Sequence, residues 1–482
     1  MHKQRMKRRK RIQLTFIYLL MAVAVVSIVA ILLLVIQGYR YNRFDGKLEQ
    51  GGLVQFDSRP SGATVTVDDI TLANRTASKV TLSSGQHTVT MSREGYSTWR
   101  KNVVVKPGSI LWLNYTRLFP TSPKNTTSTS FDTISSALVS PDKKTMAVLT
   151  KSDIASISLV PLDTDTPKTT VLTIPATGVS APGSDQAQSF SLMSWDADSN
   201  LLLLKHVYGE STEYLSFDTR SSTVHNISRE LGVSVAKILY SLSDSNVLYV
   251  LTTTGELRRI SLESATLSGP LASDVQDIMT TEERVLFYTT KQTADVKPSI
   301  GYITAGASKA KVLGTYDDTS LRAASATYYG QHYIVLQHGE TLTISKGGLP
   351  ASDSNDTVKL SSVANLKVKG DFSYIGFSPK EHRFVYVAGG NTVVTYDLEL
   401  LASATVSLQN ALTRDVSWLD GYHLLATGQN SYYYDFDGTN SQLFASNTID
   451  MPATLSPNEK FIYYFAPAKT GVVLRRVALT TD

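Results

Sequence analysis

From Ile12 to Ile36 the chain reads IQLTFIYLLMAVAVVSIVAILLLVI, 25 positions without a charged side chain. A helix rises about 1.5 Å per residue and a hydrocarbon core is about 30 Å thick, so this run predicts a transmembrane helix over 12–36 with some tilt. Beyond it the apolar period becomes two. Val65 and Val67 alternate with Thr64, Thr66 and Asp68, and His87, Val89 and Met91 alternate with Gln86, Thr88, Thr90 and Ser92. Val103 and Val105 lead through a Lys-Pro-Gly-Ser turn into ILWLNYTRL. Alternation broken by glycine-bearing turns predicts strands. Five or six of them with no helical period predict a small β-sandwich over 52–119.

Pro120 to Ser130, PTSPKNTTSTS, has no apolar period and predicts a linker between two bodies. After it one phrase returns: an apolar strand, a polar turn, a second strand, another turn, and a third strand. Instances include ALVSPDKKTMAVLT, SWDADSNLLLLKHVYGESTEYLSFDT, GFSPKEHRFVYVAGGNTVVTYDLEL and LSPNEKFIYYFAPAKTGVVLRRVAL, and the turns recur every 36 to 56 residues. A four-stranded propeller blade takes about 40 to 50 residues, so 131–482 is expected to form a seven- or eight-bladed β-propeller, with a stack of β-sandwiches as the alternative. VSPDKK, FSPKEH and LSPNEK resemble the Ser-Pro-Asp-Gly-Lys turn of TolB-type and WD-like propellers. Lys143, Lys380 with Glu381, and Glu459 stand where that turn has glycine.

Between the apolar run and the linker, PSGATVTVDD, NRTASKVTLSSGQHTVTMSREGYSTW and VVVKPG resemble the PEGA domain. Pro60, Gly62, Ala63, Gly85, Gly95, Tyr96 and Trp99 fall at that family's positions, while Ser61 replaces its Glu and Ala77 stands where a Pro is common. Each position also has a physical reading of its own. Pro60 and Gly62 suit a tight turn, Ala63 lets a strand start against a close neighbour, and Tyr96 and Trp99 suit core plugs. The resemblance implies attachment to, or interaction at, a cell envelope rather than catalysis.

Residues 1–11, MHKQRMKRRKR, hold seven Lys and Arg and no acid, and the formal charge of the whole chain is +4. The rest is therefore near −3, a basic tip on a nearly neutral body, which argues against nucleic acid as a partner. Three basic residues follow the apolar run (Arg40, Arg43, Lys47), fewer than precede it. The positive-inside rule then predicts a cytoplasmic N-terminus and extracytoplasmic domains after a short stalk, 37–51. A cleaved signal peptide is the rival, but the run is longer than usual for one and ends in LLLVIQGYRYNRF rather than small residues. The chain has no cysteine, so neither disulfides, thiolate metal sites nor a cysteine nucleophile enter.

No motif for chemistry emerges. The eight histidines show no zinc spacing, and there is no nucleophile elbow, P-loop or dinucleotide fingerprint. DFDGTN (Asp435, Asp437, Asn440) has the opening spacing of a calcium loop but lacks the closing Glu, and Asp-Gly is a hairpin turn. The adjacent acids Asp68/Asp69, Asp317/Asp318 and Glu282/Glu283 read as solvated turns, because neighbours on a strand point to opposite faces. Within SYYYDFDG, Tyr432, Tyr433 and Tyr434 are candidates for stacking on a sugar or peptide, against a reading as blade core. The expectation is a mainly β, single-pass bacterial envelope protein without catalytic residue, cofactor or metal, binding envelope proteins or glycans. The alternative is a lyase- or glycosidase-type enzyme with its site in the propeller channel.

Overall fold

The computed structural model describes residues 2–36, 38–42, 47–183, 186–280 and 284–481. These form two compact units, 1–122 with 480–482, and 123–479.

In the first unit one helix runs from His2 to Ile36, so the basic tip and the apolar run are a single helix. Its stretch Leu14–Ile36 has a mean hydropathy of 3.3, is long and apolar enough to cross a membrane, and is nowhere buried in the protein. Gly38, at φ +82°, ends it by donating its N–H to Val35 O at 3.0 Å. Within the short stalk, Tyr39–Asn42 pairs antiparallel with Lys47–Gln50.

The sandwich has a three-stranded sheet (Ser78–Leu82, Gly52–Arg59, Ile110–Arg117) and a four-stranded one (Ile70–Thr71, Thr64–Val67, Gly85–Ser92, Trp99–Val105). Strict alternation along Gly52–Arg59 and Trp99–Val105 turns Val54, Phe56, Trp99, Val103 and Val105 inward. Trp99 and Phe56 are 2% and 0% exposed. Burying a side chain of this size stabilises by roughly 1.5–3 kcal/mol, which a domain this small needs. Gly62 sits at φ +80° with open space where a Cβ would lie, so the turn requires its backbone conformation rather than its small size. Thr76 fixes the turn: its hydroxyl accepts from Ala63 N at 2.9 Å and its carbonyl accepts from Gly62 N at 2.9 Å.

Among the described residues the second unit has eight four-stranded antiparallel sheets, so of seven or eight blades the structure has eight. Their first strands are Ser136–Val139, Gln188–Trp195, Val235–Tyr240, Val275–Thr280, Leu321–Tyr328, Tyr374–Phe377, Ser417–Trp418 and Thr454–Leu455, taken as blades 1 to 8. Apolar clusters join blade 1 to 2, 2 to 3, 3 to 4, 4 to 5, 5 to 6, 6 to 7 and 8 to 1. Phe444 against Tyr464, 6.0 Å between centroids, joins blade 7 to 8 and closes the ring. From blade 1 to blade 6 consecutive first strands lie side by side, so they are innermost. Fourth strands such as Thr170–Thr173 and Ala402–Ser407 are mostly exposed and form the rim.

The expected linker is corrected here. Asn125–Phe131 is the outer strand of blade 8, paired with Val472–Ala478, so chain from before blade 1 completes the last blade. Its Ser/Thr composition reflects an outermost strand, alternately exposed and half-covered, rather than a lack of structure. The Ser-Pro-Asp-like turns join first to second strands. In blade 1 Ser140 Oγ donates to Asp142 Oδ1 at 2.6 Å and accepts from Thr145 N at 3.0 Å. Ser456, Asn458 and Phe461 repeat this in blade 8. Lys143, Lys380 and Glu459 all sit at positive φ (60°, 70° and 58°), the backbone that a glycine there would adopt freely.

Candidate functional site

The propeller offers two mouths around its first strands. At one, here the lower, gather the turns between first and second strands; at the other, the upper, gather the connections that enter each blade.

The lower turns are laced to one another. Lys143 Nζ in blade 1 donates to Leu419 O in blade 7 at 2.8 Å, and Asp142 N donates to Ser199 Oγ of blade 2 at 3.2 Å. Ser245 Oγ of blade 3 donates to Asp198 Oδ2 of blade 2 at 2.6 Å, and Lys380 of blade 6 faces Glu459 of blade 8 at 3.6 Å. Two basins open on this side. One of about 430 Å³ between blades 2 and 3 is lined by Asp196, Asp198, Asp218, Arg220 and His225 among others. Its carboxylates are engaged: Asp196 Oδ1 accepts from Asn200 N and Leu201 N, and Asp218 binds Arg220. The other, of about 350 Å³ between blades 4 and 5, includes Arg284, His332 and Tyr333.

The upper mouth is built differently. The first strands of blades 3 and 4 each carry a bulge at the same place, between Val235 and Lys237 and between Val275 and Asp277. A bulge bends its strand and re-aims a side chain. Here Lys237 and Asp277 meet, Nζ to Oδ1 at 2.7 Å, each side chain 38% exposed. Next in the ring, Arg322 Nε donates to Phe372 O at 3.2 Å. Arg414 Nη2 donates to Asp450 Oδ1 at 2.7 Å, and the hydroxyls of Thr413 and Thr427 donate to the same carboxylate. Asp415, next in the chain and exposed, accepts from Tyr386 Oη and Val416 N. Desolvation pushes its carboxyl up to about 6 against those hydrogen bonds. The exposed side chains of the first strands of blades 2 to 4 are Ser189, Ser191, Met193, Ala236 and Gln276. Amides, hydroxyls and matched charges of this kind recognise a ligand by hydrogen bonding.

Buried charge elsewhere is structural. His206 and Glu213 meet at 2.8 Å inside blade 2. Burial raises the Glu213 carboxyl, but hydrogen bonds from Asn226, His206 and Ser180 outweigh it and hold the group below its ordinary value. In blade 6 Arg383 grips Asp397 with two hydrogen bonds, 3.0 and 2.7 Å.

The residues singled out from sequence fall in two places. Gly85 and Gly95 take φ +128° and +80° in sandwich turns, and the peptide before Pro60 is cis. Tyr96 and Trp99 are buried at 7% and 2%; Tyr96 Oη accepts from Thr481 N at 3.0 Å, and Trp99 meets Tyr115 edge-on. In blade 7, Tyr433 and Tyr434 are core side chains, 1% and 2% exposed, which removes them as a stacking surface. Tyr432 is half-covered, 6.2 Å from the Tyr434 ring, and packs against the core between blades 6 and 7. Asp435 and Asp437 serve a turn, accepting from Asn440 Nδ2 and Thr439 N, and no cluster able to hold a metal occurs among the described residues. Asp68 is held below its ordinary value by hydrogen bonds from Thr88 N and His87. Glu282 and Glu283 lie outside the described residues. Lys237 and Asp277 carry no motif, since a bulge leaves no mark in the alternation, and Arg322 stands on a regular strand without one.

Residues 52–118 match the PEGA domain family model. No curated protein sequence matches the chain. Among solved structures it is similar to an oligogalacturonate lyase from Vibrio parahaemolyticus, at 11% identity and TM-score 0.37, over 69% of this chain and 99% of that one. It is also similar to the β-propeller domain of Cps50 (Swd1) from Myceliophteria thermophila (10%, TM-score 0.39, 74% and 100%). A third similarity is to the yeast Nup82-Nup159-Nup116 nucleoporin complex (10%, TM-score 0.43, 64% and 98%). At these values neither activity nor partner passes to this chain.

Proposed function

We propose that the chain is a membrane-anchored recognition protein of a bacterial envelope. In this reading the basic tip stays in the cytoplasm, Leu14–Ile36 spans the membrane, and the PEGA sandwich and propeller lie outside. The propeller binds envelope proteins or glycans at its upper mouth without chemical turnover. The observation that carries the reading is the make-up of that mouth. Lys237 and Asp277 satisfy each other at 2.7 Å, and the exposed first-strand side chains beside them are Ser189, Ser191, Ala236 and Gln276, with Met193 as the one large apolar group. Catalytic acid–base work asks for carboxylates held at displaced proton affinities around one reacting centre. Asp415, whose affinity is displaced, is exposed there, but its carboxylate already accepts hydrogen bonds from Tyr386 Oη and Val416 N.

The test uses the full chain in nanodiscs, titrated with cell-wall glycans and with purified envelope proteins. The expected result is saturable binding that Lys237→Asp abolishes and that Lys237→Asp with Asp277→Lys restores. Conversion of a glycan to cleaved product by the wild-type chain would overturn it. Orientation is read on intact cells, where added protease should degrade the propeller and spare the N-terminal tip.

A further inference from the structure

The sandwich has an apolar corner that its core does not use, and the backbone ties that corner to the end of the apolar helix. Gly38 N, at the helix end, donates to Val35 O at 3.0 Å, and Gly38 O accepts from Gly51 N at 3.0 Å. Gly51 O accepts from Gly108 N at 2.9 Å, and Leu53 N donates to Ser109 O at 2.9 Å. The turn Lys106 to Ser109 therefore sits a few hydrogen-bonded links, on the order of 10 Å, from the last turn of the helix. A helix over Leu14–Ile36 is about 34 Å long and reaches just past a hydrocarbon core of about 30 Å. Headgroup layers add about 5–8 Å on each side, so the turn comes within their reach.

The side chains at this corner suit that layer. Along Ile110–Arg117 the inward residues are Leu111 and Leu113, 7% and 2% exposed, so Ile110 and Trp112 point outward. Leu53 pairs with Ile110 across the parallel ladder and shares that outer face. Ile110 is 50% exposed, Leu53 and Trp112 are half-covered, and Lys106 is exposed at the turn. An apolar pair, a tryptophan on the same face and a lysine at the turn are the kinds of group found at a membrane interface.

We infer that this corner, Leu53, Lys106, Ile110 and Trp112, rests in the headgroup layer of the bilayer that the helix spans, so that the sandwich docks on lipid. The inference rests on the proposed anchor. It fixes the sandwich against the membrane surface, with anionic lipid headgroups as the partner of Lys106.

Trp112 supplies the assay. The chain has four tryptophans, of which Trp99 and Trp195 are buried at 2% and 8%, and Trp418 is half-buried in blade 7. The full chain is reconstituted in vesicles whose phospholipids carry a nitroxide quencher at the headgroup or at mid-chain. The Trp112 signal is the difference between wild type and Trp112→Phe, an outward position that leaves the core untouched. We expect the headgroup quencher to remove about half or more of that difference signal and the mid-chain quencher much less. Lys106→Glu should weaken the quenching in anionic vesicles, by up to about fivefold in the contact equilibrium, and leave it unchanged in neutral ones. If alkaline extraction shows the chain integrated while wild type and Trp112→Phe are quenched alike, the docking is refuted and the anchor stands. If alkaline extraction releases the chain, the anchor itself fails, and the docking with it.

Discussion

His423 is an almost fully enclosed ionisable group held between two carboxylates. Its ring is 1% exposed, with Nδ1 2.7 Å from Asp420 Oδ1 and Nε2 3.4 Å from Asp435 Oδ1. Burial alone would push the imidazole down. The carboxylates of Asp420 and Asp435 more than reverse that and raise it from 6.5 to about 9. At about 1.4 kcal/mol for each tenfold change in proton affinity, that rise is worth on the order of 3 kcal/mol to the fold. The folded value lies above the unfolded one, so the stabilisation is fully present below about pH 6.5 and is lost as pH rises through about 9. Unfolding entropy of about 2.1 cal/mol/K per residue, over the roughly 350 residues of the propeller, turns 3 kcal/mol into about 4 °C of Tm. His423→Gln keeps a donor toward Asp420 but removes the charge between two buried carboxylates, which costs about 3–5 kcal/mol. Thermal unfolding of the full chain from pH 7 to 10, wild type against His423→Gln, isolates this group, because other lysines and tyrosines titrate equally in both. The gap in Tm should be largest at pH 7 and close by pH 10. A gap that stays constant over that range would refute a charged His423.

Asp415 should show the same sign of pH dependence in a lower window, although there the neutral form is the one that favours the fold. Desolvation raises its folded value to about 6, above the unfolded value, so its protonated form favours the fold and the contribution fades as pH climbs from about 4 to 6. Asp415→Asn should therefore raise Tm at pH 7.5, by the equivalent of about 1 kcal/mol or less because solvent screens an exposed residue, and flatten the acid limb of the stability curve in calorimetry. In the sandwich, Gly62→Ala places a methyl group in open space but holds it at φ +80°. Chemical denaturation of that unit should show a loss of about 1 kcal/mol, and a neutral result would mean that the turn relaxes.

The parts that were legible in the sequence are those with a period. Continuous apolarity gave the helix, alternation gave the sandwich strands, and the recurring turn gave the blades with their order. What was missed has a common physical origin, in that outermost strands and bulges do not alternate. Asn125–Phe131 has no apolar face because it closes blade 8 from outside, so its Ser and Thr read as linker. Tyr433 and Tyr434 are adjacent on one strand, yet both are buried, because a middle strand of a blade is covered on both faces by neighbouring blades. A rule of one face in and one face out, sound for the sandwich, fails there. The Lys237–Asp277 pair depends on two bulges in register on separate blades, a coincidence of three-dimensional placement that no local pattern records.

The departures from the Ser-Pro-Asp-Gly-Lys turn are informative for the same reason. A side chain at positive φ costs about 1 kcal/mol or more relative to glycine, and Lys143, Lys380 and Glu459 all accept that cost. An exposed ion pair such as Lys380 with Glu459, at 3.6 Å, returns less than that. Stability therefore does not account for these residues. Their side chains do what glycine cannot, since Lys143 reaches Leu419 O two blades away and Lys380 faces Glu459 two blades away. Four of the eight lower turns are thereby tied across the ring, which narrows that mouth and holds the blades in register. The proposed recognition surface is the other mouth, where Lys237, Asp277 and Arg322 stand. Residues that weaken the motif as a signature thus serve as ties between lower turns.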